Sequence, residues 1–136
     1  MNRPILLGYQ LLIGLSDTMT GALLMVAPEL TLRLMHLHVP FDALPFLSFI
    51  GAFVFSVGLS CLYGAWLIAC GGSLARVEMI WLLTAFTRSA VAIFVVSQIL
   101  DSTFEAGWFT VVASDGVCAL IQAIGLRKGW LRHVAR

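Results

Sequence analysis

Charge is what this chain has least of. Eight Lys and Arg and seven Asp and Glu make up 11% of 136 residues, against about a quarter in soluble domains. So little charge cannot cover a soluble surface, and with 60% apolar residues and a mean hydropathy of +0.99 the composition is that of a membrane protein. The net charge is +1, with no basic run before the last ten residues, so no nucleic-acid partner is expected. There are only three cysteines, Cys61, Cys70 and Cys118, an odd number without CxxC spacing. That excludes a disulfide framework and gives no zinc site, and they read as small apolar packing residues. A nucleophile with its base, a metal set and a Gly-rich phosphate loop are all missing. An enzyme acting on quinone or lipid therefore has no residue-level support, no catalytic residue is assigned, and no cofactor is expected. Low-complexity segments and fixed-period repeats are missing too, which leaves one domain over residues 1–136.

What is present is apolar length. Four segments, Pro4 to Ala27, Leu44 to Ala69, Val77 to Ile99 and Gly107 to Leu126, approach the roughly 20 residues that a hydrocarbon core about 30 Å thick demands. They predict an all-α, integral membrane four-helix bundle of up-down topology. The first span is not read as a cleaved signal, because Asp17 interrupts its apolar core and the run continues through Val26. Four spans place both termini on one side. That side carries Arg3, Arg76, Arg127, Lys128, Arg132 and Arg136 and the other only Arg33, so both termini are expected in the cytoplasm. Trp66, Trp81, Trp130 and Trp108 fall near the expected boundaries and read as interfacial anchors.

Within the third span, WLLTAFTRSAVAIFVVSQI holds Arg88 at its middle. An arginine there costs about 2.5–3.5 kcal/mol on insertion scales and calls for a partner. Spans one and four each carry one carboxylate, Asp17 and Asp115. Counting 1.5 Å per residue from the cytoplasmic ends, Asp17 lies about 20 Å deep and Arg88 and Asp115 about 16 Å. Helical periodicity sets each charge on the polar or small-residue face of its helix. An interior cluster of Asp17, Arg88 and Asp115 is expected, with Gln10, Thr20, Thr84 and Gln122 as supporting hydrogen-bond partners. Two carboxylates against one guanidinium leave an excess of one negative charge if all ionise, which binding of a proton or cation removes.

In the second span, Ser48, Ala52, Ser56, Ser60 and Gly64 recur every four residues, a small-residue row that lets another helix approach. Packing inside the bundle is the expected use, and a dimer seam the alternative. Between spans one and two, Pro28 stops the first span or opens a short surface helix, and Leu30, Leu32, Leu34, Leu37 and Val39 place the loop in the outer interface. His36 and His38 lack the further ligands of a metal site and read as polar residues at the headgroup boundary.

A first span reading GLSDTMTGALLMVAPELTLRLMHL, ending in a proline and an amphipathic stretch before a second glycine-containing span, resembles the DoxX-like family of small four-span bacterial membrane proteins. The resemblance covers the first half of the chain. It implies a small four-helix subunit accompanying membrane redox complexes such as thiosulfate:quinone oxidoreductase. The chain departs from a redox role in showing no cysteine pair, and no functional residue is carried over. The expected function is a non-catalytic or accessory subunit of a larger membrane complex, possessing the bilayer, other subunits or a second copy as partners. The alternative is a small proton- or cation-coupled transporter or channel built on the three charges.

Overall fold

Glycine decides how the first two long helices meet. In the computed structural model, which describes residues 2–132, α1 (Arg3–Val26) packs on α3 (Leu44–Ala69) through Gly14 and Gly21 on one side and Gly51, Gly58 and Gly64 on the other. A Cβ on Gly21 would lie 2.7 Å from the Gly51 carbonyl oxygen, and one on Gly51 2.9 Å from the Gly21 carbonyl oxygen. Gly14 meets Leu62, Gly21 meets Phe55, and Gly51 meets Leu24, so the contacts run antiparallel. Backbones this close trade side-chain volume for van der Waals contact, the usual currency of helix association in lipid.

The second close pair is α4 (Leu74–Leu100) with α5 (Phe109–Arg127). Trp81 fills the space over Gly125, where a Cβ would come within 2.5 Å of the ring, while Thr84 meets Gln122 and Arg88 meets Asp115, again antiparallel. α3 touches α4, whereas no Cα pair within 8 Å joins α1 to α4 or to α5. The molecule is thus two tight helical hairpins, and α1 reaches the α4/α5 pair only through its side chains. Gln10 reaches Trp81 and Asp17 reaches Arg88, an offset that makes α1 and α4 parallel and gives the up-down-up-down order.

The loop after α1 holds a fifth helix, α2 (Pro28–Leu34), with Pro28 in its first turn, Glu29 near its N-terminus and Arg33 near its C-terminus, where each suits the helix dipole. Glu29 and Arg33 also pair at 2.6 Å. It ends where His36 turns to φ 55°, so that the Leu37 N–H donates to the Leu32 carbonyl at 2.9 Å and the two leucines pack together. The same ending closes α3 at Gly71, whose φ of +68° the sequence supplies with glycine. Single 3₁₀ turns, Phe41–Ala43 and Ala106–Trp108, lead into α3 and α5. No strand occurs among the described residues.

Four of the helical segments, Arg3–Val26, Phe41–Ala69, Leu74–Leu100 and Ala106–Arg127, are long and apolar enough to cross a membrane. Their outward faces carry Leu12, Phe46, Phe53, Phe86, Ile93 and Leu120, all largely exposed. Two clusters of buried apolar side chains stand at the two ends. Leu6, Leu67, Ile68, Val77, Trp81 and Leu131 form one cluster, where the chain begins and α5 ends, and Leu32, Leu37 and Leu47 with Trp108 form the other. At the first end Arg3 donates to the Ile68 and Ala69 carbonyls, both at 2.9 Å, capping the C-terminus of α3. Arg76, Arg127, Lys128 and Arg132 lie at that end as well, whereas Arg136 falls outside the described residues.

Two expectations are corrected here. Trp81 is no interfacial anchor. It stands two turns inside α4 and is fully buried, since Gly125 leaves room for its ring and Gln10 accepts its N–H. The four-residue row of α3 is not the packing seam of the bundle either. Gly64 is buried against Gln10 and Ser48 and Ala52 are half-buried, but Ser56 and Ser60 are exposed, each hydroxyl donating to a carbonyl of its own helix. The seam follows Gly51 and Gly58 because only glycine admits the α1 backbone at that distance.

Candidate functional site

Arg88 sits halfway along α4, on the face it shares with Trp81, Thr84, Ala85 and Ala92, all buried. That face looks at both hairpins' interiors, so the guanidinium, about 5% exposed, lies between α1 and α5. Its Nη1 donates to Asp115 Oδ1 at 2.5 Å and its Nη2 donates to Asp17 Oδ2. Three helices are thereby joined through one side chain, two charge-assisted bonds holding a group that would otherwise be buried unpaired. The two carboxylates are the outer part of the arrangement, their side chains 19% and 18% exposed for Asp17 and Asp115.

Toward the chain-terminal end lies a second polar layer. Gln10 and Gln122 are both fully buried. Gln10 Oε1 accepts from the Trp81 indole at 3.1 Å, and Gln122 Nε2 donates to the Thr84 hydroxyl at 2.9 Å, so α1 and α5 each grip α4 at neighbouring turns. The Tyr9 hydroxyl donates to the Cys118 carbonyl at 3.4 Å, bridging α1 to α5. Three buried atoms at these two levels, Gln10 Nε2, Arg88 Nε and Gln122 Oε1, have no hydrogen-bond partner among the described residues. In a fully satisfied interior such atoms are rare, so this polar seam keeps unspent hydrogen-bonding capacity.

The sequence-selected residues thus divide. Asp17, Arg88 and Asp115 come together directly, and Gln10, Thr84 and Gln122 come together one level away, bonded to Trp81 and to each other rather than to the charges. Thr20 is half-buried and makes no side-chain hydrogen bond among the described residues. The threonine that matters on α1 is Thr18, which donates to the Gly14 carbonyl at 2.6 Å and packs on Gly58. Sequence reasoning missed Trp81 and Tyr9 as interior residues, and the glycine seam. A signal for the seam existed, since Gly14 and Gly21, and Gly51 and Gly58, repeat at the seven-residue spacing of packed helices.

His36 and His38 are exposed in the loop between α2 and α3, and His38 Nδ1 lies 3.7 Å from Glu105 Oε2, linking that loop to the α4–α5 turn. No group of three or more His, Cys, Asp or Glu that could hold a metal occurs among the described residues. Cys61 and Cys118 are buried free thiols, and Cys70 is exposed in the α3–α4 turn.

Chemically, the polar seam can hold two hairpins in register, or hold a positive group against the exposed side of its carboxylates. Above and below it stand the two apolar clusters. Comparison with protein-family models, with curated proteins and with solved structures finds no match.

Proposed function

We propose that this chain is an integral protein of a bacterial cytoplasmic membrane, with both termini inside, acting as a non-catalytic subunit of a larger membrane assembly. The observation that carries this reading is how the polar residues are used. Arg88 is bonded on both sides, the layer beneath it ties α1 and α5 to α4, and apolar clusters close both ends of the seam. That arrangement supports a scaffold over a passage. The basic end formed by Arg3, Arg76, Arg127, Lys128 and Arg132 supports the orientation. The DoxX-like resemblance of the first half supports an accessory place beside a redox complex.

A second reading, a proton- or cation-coupled transporter, is favoured by one observation: two carboxylates face one guanidinium and remain partly exposed. Purification from native membranes in mild detergent separates the two. The subunit reading predicts stoichiometric larger partners that persist through size exclusion. A clean homo-oligomer, together with protein-dependent proton uptake in vesicles, would overturn it in favour of transport.

A further inference from the structure

We infer that Asp17 and Asp115 bind one proton between them, which makes the cluster around Arg88 a proton site that is electrically neutral when filled. This goes beyond the subunit reading and does not rest on it, because it concerns the chain alone.

Charge is out of balance at mid-span. Asp17, Arg88 and Asp115 stand well inside α1, α4 and α5, and among the described residues every other Lys, Arg and His falls at a helix end or in a loop. The remaining titratable side chains that face Arg88 are Tyr9 on α1, Cys61 on α3 and Cys118 on α5, and none of them supplies a positive charge. Two ionised carboxylates would thus share one guanidinium. Each is bonded to one of its terminal nitrogens, so they stand no further apart than the width of that group and two hydrogen bonds. The second carboxylate to ionise gains a guanidinium whose charge the first already offsets, and it meets the repulsion of the first. Where hydrocarbon replaces water, the solvation that would compensate is missing, and the neutral acid is favoured.

Charge alone does not separate a proton from a metal ion, but the donors do. Hard cations such as magnesium and calcium take about six oxygen ligands. Arg88 occupies Asp17 Oδ2 and Asp115 Oδ1, which leaves Asp17 Oδ1 and Asp115 Oδ2, and no group of three or more His, Cys, Asp or Glu that could hold a metal includes them among the described residues. A proton needs a single oxygen. It comes from water and forms an O–H bond on one of the two free oxygens, and the three side chains then sum to zero charge. Neither acid is set apart by its surroundings, since each gives one oxygen to Arg88 and their side chains are exposed to nearly the same degree. The proton therefore belongs to the pair rather than to one residue.

The test is the infrared spectrum of the full-length protein in phosphatidylcholine bilayers near neutral pH, with carbon-13 in the aspartyl side-chain carboxyls to separate their bands from those of lipid esters and amides. The expected result is one protonated aspartyl carboxyl per chain. Asp17→Asn and Asp115→Asn should each abolish it, because the acid that remains has Arg88 to itself and ionises. Absence of the band from the unmodified protein overturns the inference, and this arm needs no variant to fold. A band that survives at full strength in either single variant, shown to be helical by circular dichroism, overturns it too, since one acid would then hold the proton without the other.

Discussion

Trp81 donates its indole N–H to Gln10 Oε1 at 3.1 Å, and both side chains are fully buried, so one hydrogen bond ties the first hairpin to the second beneath the charged layer. Gln10→Leu removes the acceptor while keeping much of the volume. The stranded indole N–H should cost about 1–3 kcal/mol. Detergent unfolding followed by tryptophan fluorescence reads this directly, and an unchanged midpoint would show that the bond contributes nothing.

The glycine seam makes a contrast between two positions on one helix. At Gly21 an added Cβ would lie 2.7 Å from both the Gly51 carbonyl oxygen and the Phe55 Cα, backbone atoms that cannot swing away. Gly21→Val should destabilise the α1/α3 pair by about 3 kcal/mol, the upper end for overpacking. At Gly8 nothing lies within 4 Å, so Gly8→Ala should be neutral or stabilise by up to about 1 kcal/mol through helix propensity. Equal effects at the two positions, read by the same unfolding assay, would contradict the seam.

Much of this arrangement is legible in the chain, for identifiable reasons. Apolar runs of membrane length fix the long helices to within a few residues, and the depth and face of Asp17, Arg88 and Asp115 follow from the rise and period of a helix. The supporting polar residues were harder. Gln10 and Gln122 are on the expected faces, but which partner each takes depends on the spacing of helices, and a glycine at position 125 admits Trp81 where a larger residue would have pushed it outward. Ser56 and Ser60 misled because a four-residue row marks a face without saying which neighbour it meets. The undecided loop became α2 through local chemistry, Pro28 at its start and the turn at His36 at its end.

Orientation can be read with the native cysteines. Cys70 is exposed in the turn between α3 and α4, on the end that holds Arg3 and Lys128, while Cys61 and Cys118 are buried. A membrane-impermeant maleimide should label one thiol per chain in inverted vesicles and none in intact cells, with the other two reacting only after denaturation. Labelling of Cys70 in intact cells would reverse the orientation.

The central claim is that Arg88 holds two hairpins together by pairing with both Asp17 and Asp115. Arg88→Leu strands two carboxylates and should lose about 3–5 kcal/mol, as breaking a buried pair does. Removing all three charges, with Asp17→Asn, Arg88→Leu and Asp115→Asn combined, should recover most of that loss, because no buried charge is left unpaired. The measurement is the unfolding free energy of the single and triple variants in the same detergent. The account predicts a triple variant clearly more stable than Arg88→Leu alone, and equal stability of the two would contradict it.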